Sequence, residues 1–565
     1  MHRLFSAFAA LALLFTVPVQ AKGGDAFPAG MVSAPDPRAA QAGAEMLRAG
    51  GTATDAALAV LLALNVVEPQ SSGIGGGGFL LLDDGKGRIT SYDGRETAPA
   101  AATPQWFEAE GKTLGYRDVV PGGLSVGVPG NVAMMAMVHR RHGKLAWKRL
   151  FAPAIALARD GFELTPRLHQ FLTTSNRTAS HDPAALALYH DAASQPLPVG
   201  TVIRNPAFAD LLERIAKRGP RAFYRGEQAR RIASAVSQAA IRPAPLTAAD
   251  LAAYRPKQRE PLCGTYRGNR ICSMGPPSSG ATSVLSMLAM LERFDMAALG
   301  KDSVTAWHLF AEVQRLAFAD RDRWLADADF VPVPVAGLLA PEYLAARAQL
   351  IAPDRAMASV SAGTPPGAVL AFTDAPSGEV PSTSHFAVID RKGRAASLTS
   401  TIEGPFGSGI VVDGMFLNNE LTDFSLNPER DGQLVANRVE PGKRPLSSMS
   451  PALVHAPDGK LRMAVGAAGG RAIPVQGTKA IIGVIDWGLS AQEAIALPMV
   501  FAAAPNRLNI EQGSLLEPLI PAFEALGHAE VRAATMPLKA NAVEVIDGRL
   551  MGAADPRSEG AAASE

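Results

Sequence analysis

The stretch Val380-Pro381-Ser382-Thr383-Ser384-His385-Phe386-Ala387-Val388-Ile389-Asp390 puts a threonine where a loop turns into a buried strand. From Thr383 onward the residues alternate and are β-branched or aromatic, which reads as a strand. Ahead of it, Thr373 to Glu379 is polar and rich in turn formers, so it is expected to be exposed. Cutting the Ser382–Thr383 bond would leave Thr383 with a hydroxyl and a free α-amine on one residue, a nucleophile carrying its own base. An α-amine has a pKa of about 7.7–8.0, against about 10.4 for lysine. It can therefore accept a proton near working pH without help from a histidine.

The next residues set a register. Arg391-Lys392-Gly393 reads as a three-residue hairpin loop with Gly393 in the left-handed position. Pairing Asp390 with Arg394 then places Thr401 opposite Thr383, where cross-strand side chains touch. Thr401 is thus expected to orient the nucleophile. Taken alone, the same residues also read as a plain hairpin of strand-favouring threonines.

The charge balance narrows the function. Lys plus Arg is 54 and Asp plus Glu is 53, which argues against a nucleic-acid partner or a polybasic membrane surface. Gly (53) and Pro (43) are frequent but not periodic, as in a loop-rich globular chain. Met1-His2-Arg3, the apolar run Leu4 to Val17 and Val19-Gln20-Ala21 read as a signal peptide over residues 1–21. The run is too short to span a bilayer comfortably, so export without stable membrane insertion is expected, to the periplasm or medium. Cys263 and Cys272 flank a hairpin turning at Arg267-Gly268, in register for a disulfide, though two free buried thiols also fit. With no HExxH and no Cys/His cluster, neither metal nor cofactor is expected.

Several stretches suggest chemistry and are weighed locally. Gly73, Gly75 and Gly78 satisfy GxGxxG, but a helix precedes and a strand follows, the reverse of a dinucleotide site. Close backbone approach to another element or a ligand is the better reading. Gly123-Leu124-Ser125-Val126-Gly127 matches GxSxG, yet Pro-Gly pairs on both sides spoil the strand–turn–helix context. Arg95 ends a strand, where a guanidinium can fork onto a carboxylate. Glu420 and Asp423 share a face at i, i+3 and can hold an ammonium, or form a solvated acidic turn. Ser447 and Ser448 offer paired hydroxyls. Gly469 and Gly470 close a strand, a good place for N–H groups to face an oxyanion. Asp320, Asp322, Asp327 and Asp329 lack the glycine and terminal glutamate of a calcium loop and read as a charged helix edge.

Together these stretches resemble the γ-glutamyltransferase family of N-terminal-nucleophile hydrolases. The resemblance rests on Glu68-Pro69-Gln70-Ser71-Ser72-Gly73-Ile74-Gly75-Gly76-Gly77, Arg95-Glu96, Ser125 to Gly130, Thr383-Ser384-His385, Pro445 to Pro451 and Asp555-Pro556-Arg557. It implies an α+β fold, a four-layer αββα sandwich shared by two pieces cut from one precursor, residues 22–382 and 383–565. It implies self-cleavage between Ser382 and Thr383. Thr383 would then attack γ-glutamyl amides such as glutathione, and water or an amino-acid or peptide acceptor would take the acyl group. By matched position, Arg95, Ser447 and Ser448 would bind the α-carboxylate of the substrate, and Glu420 and Asp423 its α-amine. Gly469 and Gly470 would form the oxyanion hole, and Thr401 would assist Thr383.

Two departures bear on specificity. Glu403 stands where many members have Asn and would add an amine ligand or change acyl choice. The stretch between Phe424 and Arg444 is short for a lid, so an open pocket accepting larger γ-glutamyl compounds is expected. Three other readings stay in view: an acylase of the same fold removing glutaryl groups from β-lactams, an exported binding protein that remains uncut, and a Ser125 hydrolase.

Overall fold

The computed structural model describes residues 26–374, 380, 382–504 and 506–565; the expected signal segment and most of the polar stretch before Ser382 lie outside them. Strands form at the segments read as such around Thr383, after the glycine run and at the cysteine hairpin, and also at segments not read as strands, such as Met31–Ala34. They are β1 (Met31–Ala34), β2 (Gly77–Asp83), β3 (Ile89–Asp93), β4 (Lys257–Arg259), β5 (Leu262–Tyr266), β6 (Asn269–Ser273), β7 (Ser384–Ile389) and β8 (Ala395–Thr401). Further on come β9 (Ala452–His455), β10 (Leu461–Ala468), β11 (Lys539–Ile546), β12 (Arg549–Ala554) and β13 (Ala561–Ser564). The helices used below are α1 (Pro37–Arg48), α2 (Ala53–Val67), α3 (Pro206–Arg218), α4 (Gly226–Ser237), α5 (Gly280–Leu291), α6 (Val304–Trp324) and α7 (Ala472–Ile485).

One sheet runs β13-β1-β7-β8-β2-β3-β4 and the other β12-β11-β10-β9-β6-β5, with every neighbouring pair antiparallel. The side-chain period of two splits β7 between two cores. Phe386 and Val388 pack with α1 and α2, while Ala387 and Ile389 face the second sheet. Helices α5, α6 and α7 cover the outer face of that second sheet. The result is the expected four-layer αββα sandwich.

Local chemistry explains the outer helices. Thr52 and Asp55 form a capping box at the start of α2, and Asp390 Oδ2 accepts a further bond from Ala53 N (3.0 Å), tying that helix to the central hairpin. All fifteen residues of α2 are buried, as expected of a helix apolar on every side. Each buried leucine along it contributes roughly 1.5–3 kcal/mol.

The glycine run before β2 works by close approach. A Cβ at Gly75 would stand 2.2 Å from Phe416 O, and one at Gly76 would stand 2.1 Å from Thr401 O. Only a residue without a side chain lets this backbone lie against the end of β8.

Cys263 and Cys272 are cross-strand partners on β5 and β6 and are joined by a disulfide. Closing so short a loop restricts the unfolded chain by ~2–3 kcal/mol. Cys263→Ala/Cys272→Ala is expected to lower the urea midpoint accordingly while leaving activity intact, and an unchanged midpoint would show that the bridge is dispensable. No helix among the described residues is long and apolar enough to cross a membrane.

The aspartates in and just after α6 correct the sequence reading. Asp320 and Asp327 are buried. Asp320 pairs with Arg347 (3.2 Å) and accepts from Tyr343 Oη (2.9 Å), while Asp327 Oδ2 accepts from Arg444 N (2.9 Å). Their partners come from far along the chain, so local sequence made them look solvated.

Candidate active site

The three-residue loop sets the register as read. Asp390 N donates to Arg394 O (2.9 Å), Gly393 has φ 76°, and Ser384 pairs with Ser400. Thr383 is therefore carried to the end of β8, and its Oγ1 lies 3.3 Å from Thr401 Oγ1. The Thr383 hydroxyl also contacts the carbonyl of Ser382, the bond expected to break. Thr401 does more than orient a neighbour. Its hydroxyl donates to Ser382 O (2.9 Å) and accepts from Glu403 N (2.8 Å). A hydroxyl donating to the scissile carbonyl stabilises charge developing there. Ser382 is held by its own hydroxyl, which donates to Gln70 O (2.7 Å).

Beneath this junction, Ser384 Oγ donates to Glu68 Oε2 (2.6 Å), and Lys539 Nζ donates to both Glu68 oxygens (3.1 and 3.0 Å). All three are buried. Burial, against the pull of Glu68, brings the Lys539 amine down to about 8. His385 is no rival base. Burial pushes its imidazole down to about 3, and its Nδ1 faces Thr399 Oγ1 (2.8 Å).

The carboxylates and the arginine named from sequence meet one another. Arg95 Nη2 donates to Asp423 Oδ2 (2.5 Å) and Leu446 O (2.8 Å), Nε donates to Pro445 O (3.2 Å), and Nη1 bonds Glu420. Glu420 and Asp423 lie on one 3₁₀ turn, which puts both toward the guanidinium. Burial would lower the pKa of Arg95, but Glu420, Asp423 and Glu96 outweigh it and hold the guanidinium above its ordinary range. Burial raises Glu420 well above a normal carboxylate, although Arg95 opposes this.

Glu403 adopts φ 74°. Its Oε1 accepts from Val380 N (2.9 Å), and its Oε2 accepts from Tyr116 Oη (3.1 Å) and from Asn419 Nδ2. Burial, then Asp423, raises it to about 8. Arg321 Nη2 donates to Ser448 Oγ (3.0 Å), and Ser279 Oγ donates to Ser447 O (2.9 Å). Gly469 and Gly470 have φ 129° and 58° and link β10 to α7. A Cβ at Gly469 would stand 2.5 Å from Pro537 O.

Arg95, Val380, Ser382, Thr383, Thr401, Glu403, Glu420, Asp423, Ser447, Ser448 and Gly470 line one cavity; Gly469 is not among its lining residues. In the uncut chain this space is only about 20 Å³. That is room for about one water, which needs ~10–15 Å³ by this measure. Val380 and Ser382 are among the residues that line the cavity; the open pocket expected from the short Phe424–Arg444 stretch concerns the cut enzyme. The short stretch itself forms strands Glu429–Arg430 and Gln433–Val435, and the latter pairs in parallel with Phe372–Thr373. Ser125 is buried on a 3₁₀ turn, its hydroxyl donating to Gly122 O (2.8 Å), and is not among the residues lining the cavity.

Sequence reasoning missed Glu96, Tyr116, Asn419 and Arg321. Glu96 was legible as the neighbour of Arg95, but nothing local marks the other three. Both Glu96 oxygens are buried without a hydrogen-bond partner, and burial, countered by Arg95, raises its carboxyl to about 8. Such a group costs nothing below about pH 4.5, where it is neutral in both states, and increasingly destabilises the fold as pH rises to about 8. Melting temperature is expected to fall over that window, and Glu96→Gln to flatten the fall. A parallel pH profile in the variant would remove Glu96 as a source.

A strand-initial threonine on a double-sheet αββα frame defines an N-terminal-nucleophile hydrolase. The chain belongs to the Gamma-glutamyltranspeptidase family, whose sequence profile matches residues 39–565. It is 36% identical over 551 residues to a glutathione hydrolase proenzyme of Escherichia coli (strain K12), covering 96% of this chain and 91% of that one. It is also 36% identical over 540 residues to an acylase ACY 1 proenzyme of Pseudomonas sp. (strain V22), covering 94% and 92%. Among solved structures, a cephalosporin acylase from Bacillus halodurans superposes with a TM-score of 0.84 at 28% identity, covering 98% of this chain and 99% of that one. Helicobacter pylori gamma-glutamyltranspeptidase superposes with a TM-score of 0.55 at 34% identity, covering 57% and 91%.

Proposed function

We propose that this chain is an exported precursor that cuts itself between Ser382 and Thr383 and then acts as a γ-glutamyl transferase and glutathione hydrolase. One observation carries the reading: the hydroxyls of Thr383 and Thr401 converge on the Ser382 carbonyl. Attack by Thr383 Oγ1 on that carbonyl carbon forms an ester and breaks the C–N bond, the hydroxyl proton passing to the leaving nitrogen, which becomes the free Thr383 amine. Water then hydrolyses the ester, returning the Thr383 hydroxyl and leaving a Ser382 carboxylate. The products are residues 22–382 and 383–565, with 1–21 removed on export.

In the cut enzyme the amine takes the hydroxyl proton, and Thr383 attacks the γ-carbonyl of the substrate. The acyl-enzyme passes to water or to the amine of an amino acid or peptide. Departure of Val380 and Ser382 enlarges the cavity they line and frees Glu403 from Val380 N. Arg95, Ser447 and Ser448 then receive the α-carboxylate. Glu420, Asp423 and Glu403 receive the α-ammonium. Gly469 and Gly470 face the oxyanion.

The acylase relative, equal in identity, makes glutaryl amides a second reading. A glutaryl group has no amine, so it offers Glu420, Asp423 and Glu403 no ammonium to bind. Intact mass and N-terminal sequencing test the cut; a single uncut chain favours a binding protein. Side-by-side rates on γ-glutamyl and glutaryl anilides test the substrate, with γ-glutamyl expected to be faster by at least about tenfold, the equivalent of 1.4 kcal/mol. Faster glutaryl turnover would reverse the assignment.

A further inference from the structure

Far from the threonine junction, the C-terminal end of α3, the turn Arg221–Tyr224 and the first turn of α4 enclose a second pocket of about 530 Å³. That size falls within the ~300–1,000 Å³ usual for small-ligand sites. It shares no lining residue with the cavity around Thr383. Arg214, Arg218, Arg221, Arg225 and Arg231 line it, with Glu227 and Gln228.

Five guanidiniums in one concavity are unusual for a chain with a formal net charge of +1. Asp413 offsets two of them, accepting from Arg214 (3.2 Å) and Arg231 (2.7 Å), and Arg231 also bonds Glu227 (2.6 Å). Among the described residues Arg218, Arg221 and Arg225 have no carboxylate partner. With Glu227 and Asp413 subtracted, three positive charges remain at the pocket.

Two further features belong to the same lining. The twelve-residue α4 starts here without a side-chain cap, so its first N–H groups lack an intrahelical acceptor. Gln228, 5% exposed, uses Oε1 to accept from Arg214 Nη2 (3.2 Å), while its buried Nε2 has no partner. An amide donor left unsatisfied on a residue that lines a positively charged pocket lacks an acceptor.

The geometry points to a binding site for a small phosphorylated anion, a free diphosphate-bearing molecule rather than a lipid surface. Forked guanidinium donors, an amide N–H and a helix N-terminus together suit several phosphate oxygens at once.

Calorimetry of the cut, full-length enzyme with inorganic pyrophosphate at low ionic strength tests this. Saturable one-to-one binding is expected. Arg218→Ser/Arg221→Ser/Arg225→Ser should weaken it at least about tenfold, as loss of charge-assisted contacts requires. Gln228→Leu, which leaves every charge in place, should weaken it about threefold. Turnover of a γ-glutamyl anilide should be unchanged in both variants, which shows that they fold. Absence of saturable binding overturns the proposal, as does affinity unaffected by the triple change. A Gln228→Leu protein that binds like the parent reduces the pocket to a diffuse positive field and also overturns it. Sedimentation with phosphatidylglycerol vesicles that pyrophosphate fails to displace would assign the patch to a membrane surface instead.

Discussion

Thr383→Ala is expected to purify as one uncut chain and to lose γ-glutamyl turnover by on the order of 10⁴-fold or more. The variant removes the only hydroxyl that contacts the Ser382 carbonyl from within the new N-terminal residue. Thr383→Ser restores a hydroxyl and should restore both cutting and turnover in part. Thr401→Val separates the two roles. It deletes the 2.9 Å donor to the scissile carbonyl but leaves the nucleophile. Cutting should slow by ~10²–10³, the usual effect of losing one oxyanion donor. Denaturing gels over time give both rates. An uncut Thr383→Ala chain with full activity would end the mechanism.

Arg95→Met gives the second large effect. Arg95 is buried, and its charge faces Glu420, Asp423 and Glu96. Removing one side of a buried ion pair leaves uncompensated charge and costs about 3–5 kcal/mol. The urea midpoint should drop accordingly, and further at pH 8 than at pH 5, because the carboxylates at Glu96 and Glu420 are neutral more often at the lower pH. Arg95→Lys keeps a charge but not the fork that also reaches Pro445 O and Leu446 O. It should retain more stability than Arg95→Met while losing the hold on a substrate carboxylate, seen as a raised KM. A midpoint unmoved by Arg95→Met would mean that the carboxylates do not depend on it.

Much of this was legible because it is local. A three-residue loop with one left-handed glycine sets the β7–β8 register and hence the Thr383–Thr401 contact. A capping box announces α2, and two cysteines at matching positions across a tight turn announce their bridge. What failed was long-range. Arg321 reaches Ser448 across 127 residues and Tyr116 reaches Glu403 across 287, with no periodicity to mark either. Asp320 and Asp327 looked solvated for the same reason. The small size of the cavity was illegible because it depends on where Val380 and Ser382 lie in the uncut chain.

The strand order has a consequence for the cut protein. In the first sheet, β1 from the N-terminal side lies between β13 and β7 from the C-terminal side, and β2 lies against β8. In the second, β6 from the N-terminal side pairs with β9. The two pieces of the proposed cut would therefore be woven into each other, and pulling them apart would mean breaking both sheets. Mixing two differently tagged, already cut preparations should yield no hybrids until the mixture is unfolded and refolded together, so each molecule keeps for life the halves with which it was made.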